Sequence, residues 1–411
     1  MADLHNYAQE SRVYIENMQP KYKLLELQKH YKEAYFTPWQ MCEPPLTKFK
    51  AMWALQRYKA GESYGENLLP RDASWFQTIA QQSNFDAYGS VNRYAISRHF
   101  THLRAFPTHK PLFSDPSKAG EGFPFDYMQN SGVHSNEPLF VSHYSKDGAW
   151  VYVFTSYASG WIRYRDMALL TQEETTRYQE HQFLHVNREY VPLQDSNGTF
   201  ITYARVGMML PYCDVNSSHF TVLLRHRDNF VTASLPLDAA HSGAMLLTRE
   251  NMVQLLDQLI GRTYGWGGLY EERDCSSTLR DIFASFGIWL PRNSSKQSGV
   301  GRVISLKGLS EHRKRERIIN EGVPFETILY RRGHVLLYLG VYNGKIMVFH
   351  DTWGIRTLHD GTAGRKIVGK TVISTLELGK EQPDYDAQYA HLKNLESMNI
   401  ITQEGNTTTT P

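Results

Sequence analysis

Cysteine is scarce in this chain: three in 411 residues. That is too few, and too scattered, for a disulfide framework, and no two of Cys42, Cys213 and Cys275 have metal-ligand spacing. Cys42 and Cys213 read as structural residues. An excess of charge is missing too. Lys and Arg number 44 against 42 Asp and Glu, a net charge of +2, which removes the electrostatic case for nucleic acid as a partner. No apolar run approaches the ~20 residues that span a bilayer. The Met1-Ala2-Asp3-Leu4-His5 start has no apolar stretch of a secretory signal. His181-Gln182-Phe183-Leu184-His185 has the histidine spacing of a zinc helix but lacks its Glu. Neither a metal nor another cofactor is expected. What the chain has is aromatic: 13% of its residues, 25 of them Tyr, suited to β-rich modules with aromatic cores. Its length favours two to four domains.

The most informative residue is Cys275. It follows Tyr264-Gly265-Trp266-Gly267-Gly268 and lies within Arg273-Asp274-Cys275-Ser276-Ser277. Leu279, Ile282, Phe283 and Phe286 then recur at helical spacing, and Gly287 can end the helix. Asp274 is a good N-cap, which puts Cys275 at the first helical position. There the helix dipole favours a thiolate, expected to alkylate ahead of Cys42 and Cys213.

Two histidines follow. Gly333-His334 opens an apolar run to Tyr342, Asn343-Gly344 is a strong hairpin turn, and the return strand carries Phe349-His350-Asp351. A cysteine hydrolase needs a base for the sulfur and a third group to orient that base. With a strict two-residue turn, His350 pairs with Leu337 and faces away from His334, while Asp351 shares the face of His334. For His350 to orient His334, the loop must be odd-membered or one strand must carry a bulge. Periodicity alone leaves the third residue open between His350 and Asp351.

The stretch from about Met252 to about Leu358 resembles the NlpC/P60 cysteine peptidases. The matching blocks are the Tyr264–Gly268 run, Asp274-Cys275-Ser276, Leu290-Pro291-Arg292-Asn293-Ser294-Ser295-Lys296-Gln297, Gly333–Gly340, and Val348-Phe349-His350. Asn293 stands where the family often has Asp. The resemblance implies a papain-like α+β domain with Cys275 as nucleophile, His334 as base and His350 as orienting group. Ser276 and Ser294 are candidate substrate hydrogen-bond donors.

The rest of the chain is modular. Residues 1 to about 105 carry helix formers at apolar spacing, punctuated by Pro20, Pro38 and Pro44-Pro45. Short strands broken by turns then indicate one small barrel, and a second such set follows. Tyr35-Phe36-Thr37-Pro38-Trp39, Phe123-Pro124-Phe125-Asp126, Asp147-Gly148-Ala149-Trp150 and Gly160-Trp161 resemble a subgroup of NlpC/P60 proteins. Its members have a helical N-terminal stabilising region and two bacterial SH3-like barrels. The expected fold is therefore multidomain α+β: a helical region over 1–105, barrels over 106–172 and 173–245, a papain-like domain over 246–395, and a tail over 396–411, loosely attached from about Asn399.

The subgroup resemblance implies cleavage of the γ-D-glutamyl–diamino acid bond of peptidoglycan stem peptides. It also implies preference for a free N-terminal L-Ala, because the first barrel walls off the cleft, with Tyr157, Asp274 and Glu137 lining the amine pocket. Alternatives on the same scaffold are a non-catalytic cell-wall-binding protein and an acyltransferase. The protein is expected to be a monomer. It would act in the periplasm or cell envelope if a signal was trimmed before Met1, and in the cytoplasm if Met1 is native.

Overall fold

The computed structural model describes residues 1–404; the end of the expected tail, from residue 405, lies outside them. Two compact units divide the chain. One comprises Met1–Lys29, Met245–Tyr264 and the chain from Glu272 onward, and the other comprises His30–Ala244 with Gly265–Glu271.

The cysteine-bearing unit is built on a six-stranded antiparallel sheet. Its strands are β1 (Arg302–Ser305), β2 (Thr327–Arg331), β3 (His334–Tyr342), β4 (Lys345–His359), β5 (Thr362–Thr375) and β6 (Leu395–Ile400), in the spatial order β1-β6-β2-β3-β4-β5. Val335 to Gly340 of β3 are all buried, as a central strand covered on both faces requires. Helix α1 (Cys275–Ser285) is buried along its whole length, and Asp274 caps it through a capping box with Ser277. Helix α2 (Glu311–Glu321), capped by Ser310, lays Ile318 into a core with Leu329, Leu336, Tyr338, Ile346, Val348 and Met398.

Strand β6 corrects the expected tail at 396. It pairs with β1 on one side and β2 on the other, and Asn399 amide N–H groups donate to the carbonyls of Gln297 and Val300. Its burial alternates irregularly along Leu-Glu-Ser-Met-Asn-Ile, so the sequence carries no clean strand period. The first 29 residues group with the cysteine-bearing unit. Gln9 bonds both the N–H and the C=O of Ile373 on β5, at 3.0 and 2.8 Å. Asp3 accepts from the Thr375 N–H and hydroxyl at 2.9 and 2.7 Å.

The barrel unit holds two antiparallel sheet systems. The first has seven strands, from Arg93–Ser97 to Met167–Leu170. Arg93–Ser97 and Thr101–Arg104 belong to this sheet, so the barrel starts before residue 106. The second combines a five-stranded sheet from Gln182–Val186 to Ala240–Ser242 with the pair Val191–Gln194 and Phe200–Ala204. Apolar cores fill both: Leu103, Val133, Leu139, Val151 and Ile162 in the first, Leu184, Leu193, Leu210, Val222 and Leu235 in the second. His185 sits on the strand Gln182–Val186, so the zinc-helix spacing does not fall on a helix.

Candidate active site

Cys275 is the first residue of α1. The Val335 backbone N–H is near enough to the sulfur to pull the thiol's pKa down, so α1 delivers the thiol beside the start of β3, one residue from His334. The Asp274 cap is heavily committed. One carboxylate oxygen accepts from the Ser276 and Ser277 N–H groups at 3.1 and 2.9 Å, and from the Ser276 hydroxyl at 2.9 Å. Arg292 clamps both oxygens, at 3.1 and 2.6 Å, in the two-pronged geometry that guanidinium and carboxylate favour. Arg292 also donates to the Ser276 hydroxyl at 2.8 Å. The Ser276 hydroxyl is therefore engaged in the cap network. Ser294 is half-buried at the start of a short helix, Ser294–Gln297, and the preceding Asn293 makes no side-chain cap bond.

The electrostatics run against the expected thiolate. Burial pushes the Cys275 thiol up to about 12, and the Asp274 and Asp351 carboxylates add to this; the Val335 N–H and Arg292 pull the other way. A helix start stabilises an anion only where neighbouring charges permit, and here the cap is itself a carboxylate. Cys42 and Cys213, expected to be structural, are both exposed, whereas Cys275 is buried.

The two histidines meet. His334 Nε2 and His350 Nδ1 are 2.9 Å apart. The turn at Asn343-Gly344 is the strict two-residue kind, with Tyr342 opposite Lys345. The register then slips between Tyr338 and Gly340, so that Leu337 lies opposite Phe349. That one-residue bulge in β3 brings His350 to the face of His334 and turns Asp351 to the other. Gly340 adopts φ +102° there, and a Cβ would come within 2.5 Å of the Asn17 amide. Asn17 donates to the Leu339 carbonyl at 3.0 Å, which fixes the bulge from the N-terminal segment.

Asp351 instead accepts from Thr278 on α1 at 3.4 Å. Burial raises its pKa well above the usual carboxylate range, and Asp274 adds to the effect. Burial likewise lowers both histidines. His334 lies well below 6.5, helped by His350, His391 and Arg331, and His350 is held down to about 3. The resting pair is therefore a neutral imidazole and a thiol.

Four participants carried no sequence signal of their own. His391 packs against both rings, centroid distances 5.7 and 5.4 Å. It lies on a short helix, His391–Asn394, more than fifty residues past His334 with no motif around it. Ser374 meets His350 from β5, Asn17 comes from the far end of the chain, and Arg292 sits inside a recognised block that gives it no role of its own. Burial, with Asp274, Cys275 and Asp351 adding to it, raises the Tyr264 phenol well above 10.

In the barrel unit, the Tyr157 hydroxyl donates to Glu137 at 2.7 Å and to the Gly132 carbonyl at 3.2 Å. Glu137 is buried. Gly267 and Gly268 of the glycine-rich block take φ of +61° and +89°. A Cβ at Gly268 would stand 2.5 Å from the Gly132 nitrogen, so this block is glycine-rich because two backbones approach closely there.

Comparison with known proteins agrees with this architecture. Residues 1–88 match the N-terminal NLPC_P60 stabilising domain, 111–163 the SH3 domain of SH3b1 type, 172–214 the SH3 domain of SH3b2 type, and 261–369 the NlpC/P60 family. No curated protein matches the sequence. An NlpC/P60 endopeptidase from Photobacterium damselae subsp. piscicida superposes with a TM-score of 0.84 at 21% identity, over 97% of this chain and 98% of that one. An NlpC/P60 family protein from Bacillus cereus superposes at 0.49 and 14% identity, over 75% and 99%. In order along the chain, the four matches give a stabilising domain, two SH3b domains and an NlpC/P60 domain over 261–369.

Proposed function

We propose that the protein is a cysteine endopeptidase that hydrolyses the γ-D-glutamyl–diamino acid bond of peptidoglycan stem peptides and prefers a free N-terminal L-Ala. The observation that carries this reading is the His334–His350 contact at 2.9 Å, on the strand whose next residue, Val335, acts through its N–H on the Cys275 thiol. A nucleophile, a base and an orienter are thus supplied by one helix and one hairpin.

His334 takes the proton of the Cys275 thiol as sulfur attacks the γ-carbonyl carbon, so that the C–S bond forms without a free thiolate in the resting enzyme. The Ser276 and Ser277 N–H groups are already bound by Asp274. The oxyanion is accordingly left to the Cys275 N–H at the helix start. Protonated His334 then gives its proton to the leaving amine as the C–N bond breaks. Water attacks the thioester, its proton passes through His334 to sulfur, and the free γ-carboxyl product leaves.

The preference for a free amine is supported by the Tyr157–Glu137 pair. A buried carboxylate with one phenol on it suits an ammonium, which needs acceptors when desolvated. The direct test is mass spectrometry of L-Ala-γ-D-Glu-diaminopimelate after incubation. L-Ala-D-Glu and free diaminopimelate are expected with the native chain, and neither with Cys275→Ala. An intact peptide, or a product carrying a new acyl acceptor in place of water, would overturn the proposal.

A further inference from the structure

Strand β5 ends in Thr371-Val372-Ile373-Ser374-Thr375, a run of β-branched residues broken by one serine. Ser374 is fully buried. A buried hydroxyl is costly unless it is bonded, and a β-strand offers Val or Ile at such a position at no such cost. The register places Ser374 opposite Val348 and Val372 opposite His350, so Ser374 shares the face of His350 one pleat away. Its oxygen lies 3.0 Å from His350 Nε2. The hydroxyl proton has a separate acceptor, the Thr375 carbonyl at 2.9 Å.

We infer that Ser374 is a positioning residue that fixes the tautomers of His350 and His334 and thereby leaves Nδ1 of His334 as the basic nitrogen. A serine hydroxyl has one proton. With that proton on the Thr375 carbonyl, Ser374 faces His350 with a lone pair, and Nε2 of His350 carries the hydrogen. In a neutral imidazole one nitrogen donates and the other accepts, so Nδ1 of His350 accepts. The hydrogen in the 2.9 Å contact then belongs to Nε2 of His334, and Nδ1 of His334 is unprotonated. That nitrogen is the one a base must offer to a thiol.

Both rings are held neutral by burial, as this chain of single protons requires. The third ring is consistent with it: Arg331 donates to Nδ1 of His391 at 3.4 Å, so His391 brings no competing donor from that nitrogen. The carbonyl that starts the relay is itself held in place. Asp3 grips the N–H and hydroxyl of the same Thr375, and Gln9 grips Ile373 on the other side of Ser374.

The inference rests on His334 acting as the base for Cys275, but its test does not need the substrate. In protein labelled with ¹⁵N-histidine, long-range ¹H–¹⁵N correlation spectra report which ring nitrogen carries hydrogen. His334 and His350 are both expected as the Nε2–H tautomer. Ser374→Ala should shift His350 toward Nδ1–H and lower kcat about five- to tenfold, the worth of one buried hydrogen bond, with KM little changed. Ser374→Thr, which keeps the hydroxyl, should restore both readouts. A native spectrum with His350 protonated at Nδ1 would overturn the relay, even if Ser374→Ala did not fold. So would Ser374→Ala with unaltered tautomers and kcat. If the spectra hold and the stem peptide is not cut, the substrate assignment fails and the relay stands.

Discussion

His350 reaches His334 only because β3 contains one residue too many. The hairpin turn at Asn343-Gly344 is regular, and a regular ladder above it would carry Asp351 to the face of His334. The slip between Tyr338 and Gly340 reverses that parity, giving a 2.9 Å contact between the rings. A bulge that re-aims a side chain next to a reactive group is the common use of this irregularity.

The two neighbours should therefore separate cleanly on substitution. His350→Ala is expected to lower kcat by about 10²-fold or more, because an orienting group acts mainly in the transition state. Asp351→Asn should leave kcat nearly unchanged and raise the melting temperature at neutral pH. The folded-state pKa of Asp351 is raised, so its burial is tolerated below about 3.8 and increasingly opposed as pH climbs above that value. The gain should fade toward pH 4. Equal losses of kcat in both variants would show that the bulge does not select the third residue.

A second expectation concerns reactivity and pH. With the thiol pushed up to about 12 and buried, iodoacetamide should label Cys42 and Cys213 before Cys275 in the resting protein, the reverse of the order the helix start alone suggests. Mass spectrometry of tryptic peptides after brief labelling checks this; Cys275 labelling first would restore the preformed thiolate. The acid limb of kcat/KM should fall well below 6.5, since His334 is depressed. Stability has the matching sign. His334, His350 and His391 are lowered on folding, so the unfolded chain binds more protons below 6.5. Stability is full above that value and lost progressively as pH falls beneath it.

Much of this site was legible because its chemistry is local in sequence. Asp274 before Cys275, and apolar residues at helical spacing after it, sufficed for the helix. The Asn-Gly turn sufficed for the hairpin. Parity also showed that a regular hairpin would fail, and named a bulge as one remedy. What set the bulge was not legible, since Asn17 lies 322 residues from Leu339 and no local pattern links them. Ser374 was invisible for a related reason: one serine in a β-branched strand gains meaning only from the register. The tail was misread because β6 lacks alternation and owes its place to two neighbours. The thiol's raised pKa was not legible because a dipole argument counts the helix start and omits burial, the larger effect, to which the capping Asp274 adds.

The bulge anchor gives a third expectation. Asn17→Ala removes the donor to the Leu339 carbonyl and should cost about 1–3 kcal/mol. If it only stabilised the fold, kcat at a temperature well below the transition would be unaffected. If it holds the register, kcat should fall several-fold while KM stays within about twofold. Asn17→Asp, which keeps the shape but loses the donor, should behave like Asn17→Ala. Wild-type kcat in both variants would assign the bulge to Gly340 alone.

The last expectation tests recognition of the amine. Glu137 is a buried carboxylate whose hydrogen-bond partner is the Tyr157 hydroxyl, at 2.7 Å. If the pair receives the L-Ala ammonium, an acetylated terminus would leave a buried charge without its partner. Truncating one side of such a contact costs roughly 2–5 kcal/mol, which is on the order of 30-fold or more in kcat/KM. Free L-Ala-γ-D-Glu-diaminopimelate should then be cut well, and its N-acetylated form or glycan-linked murein poorly. Glu137→Gln should erode that difference by slowing the free peptide and not the blocked one, while Tyr157→Phe, which keeps the carboxylate, should do so less. Matching rates on free and blocked peptides in the native protein would remove the amine from the specificity of this enzyme and leave the Tyr157–Glu137 pair a structural hydrogen bond of the first barrel.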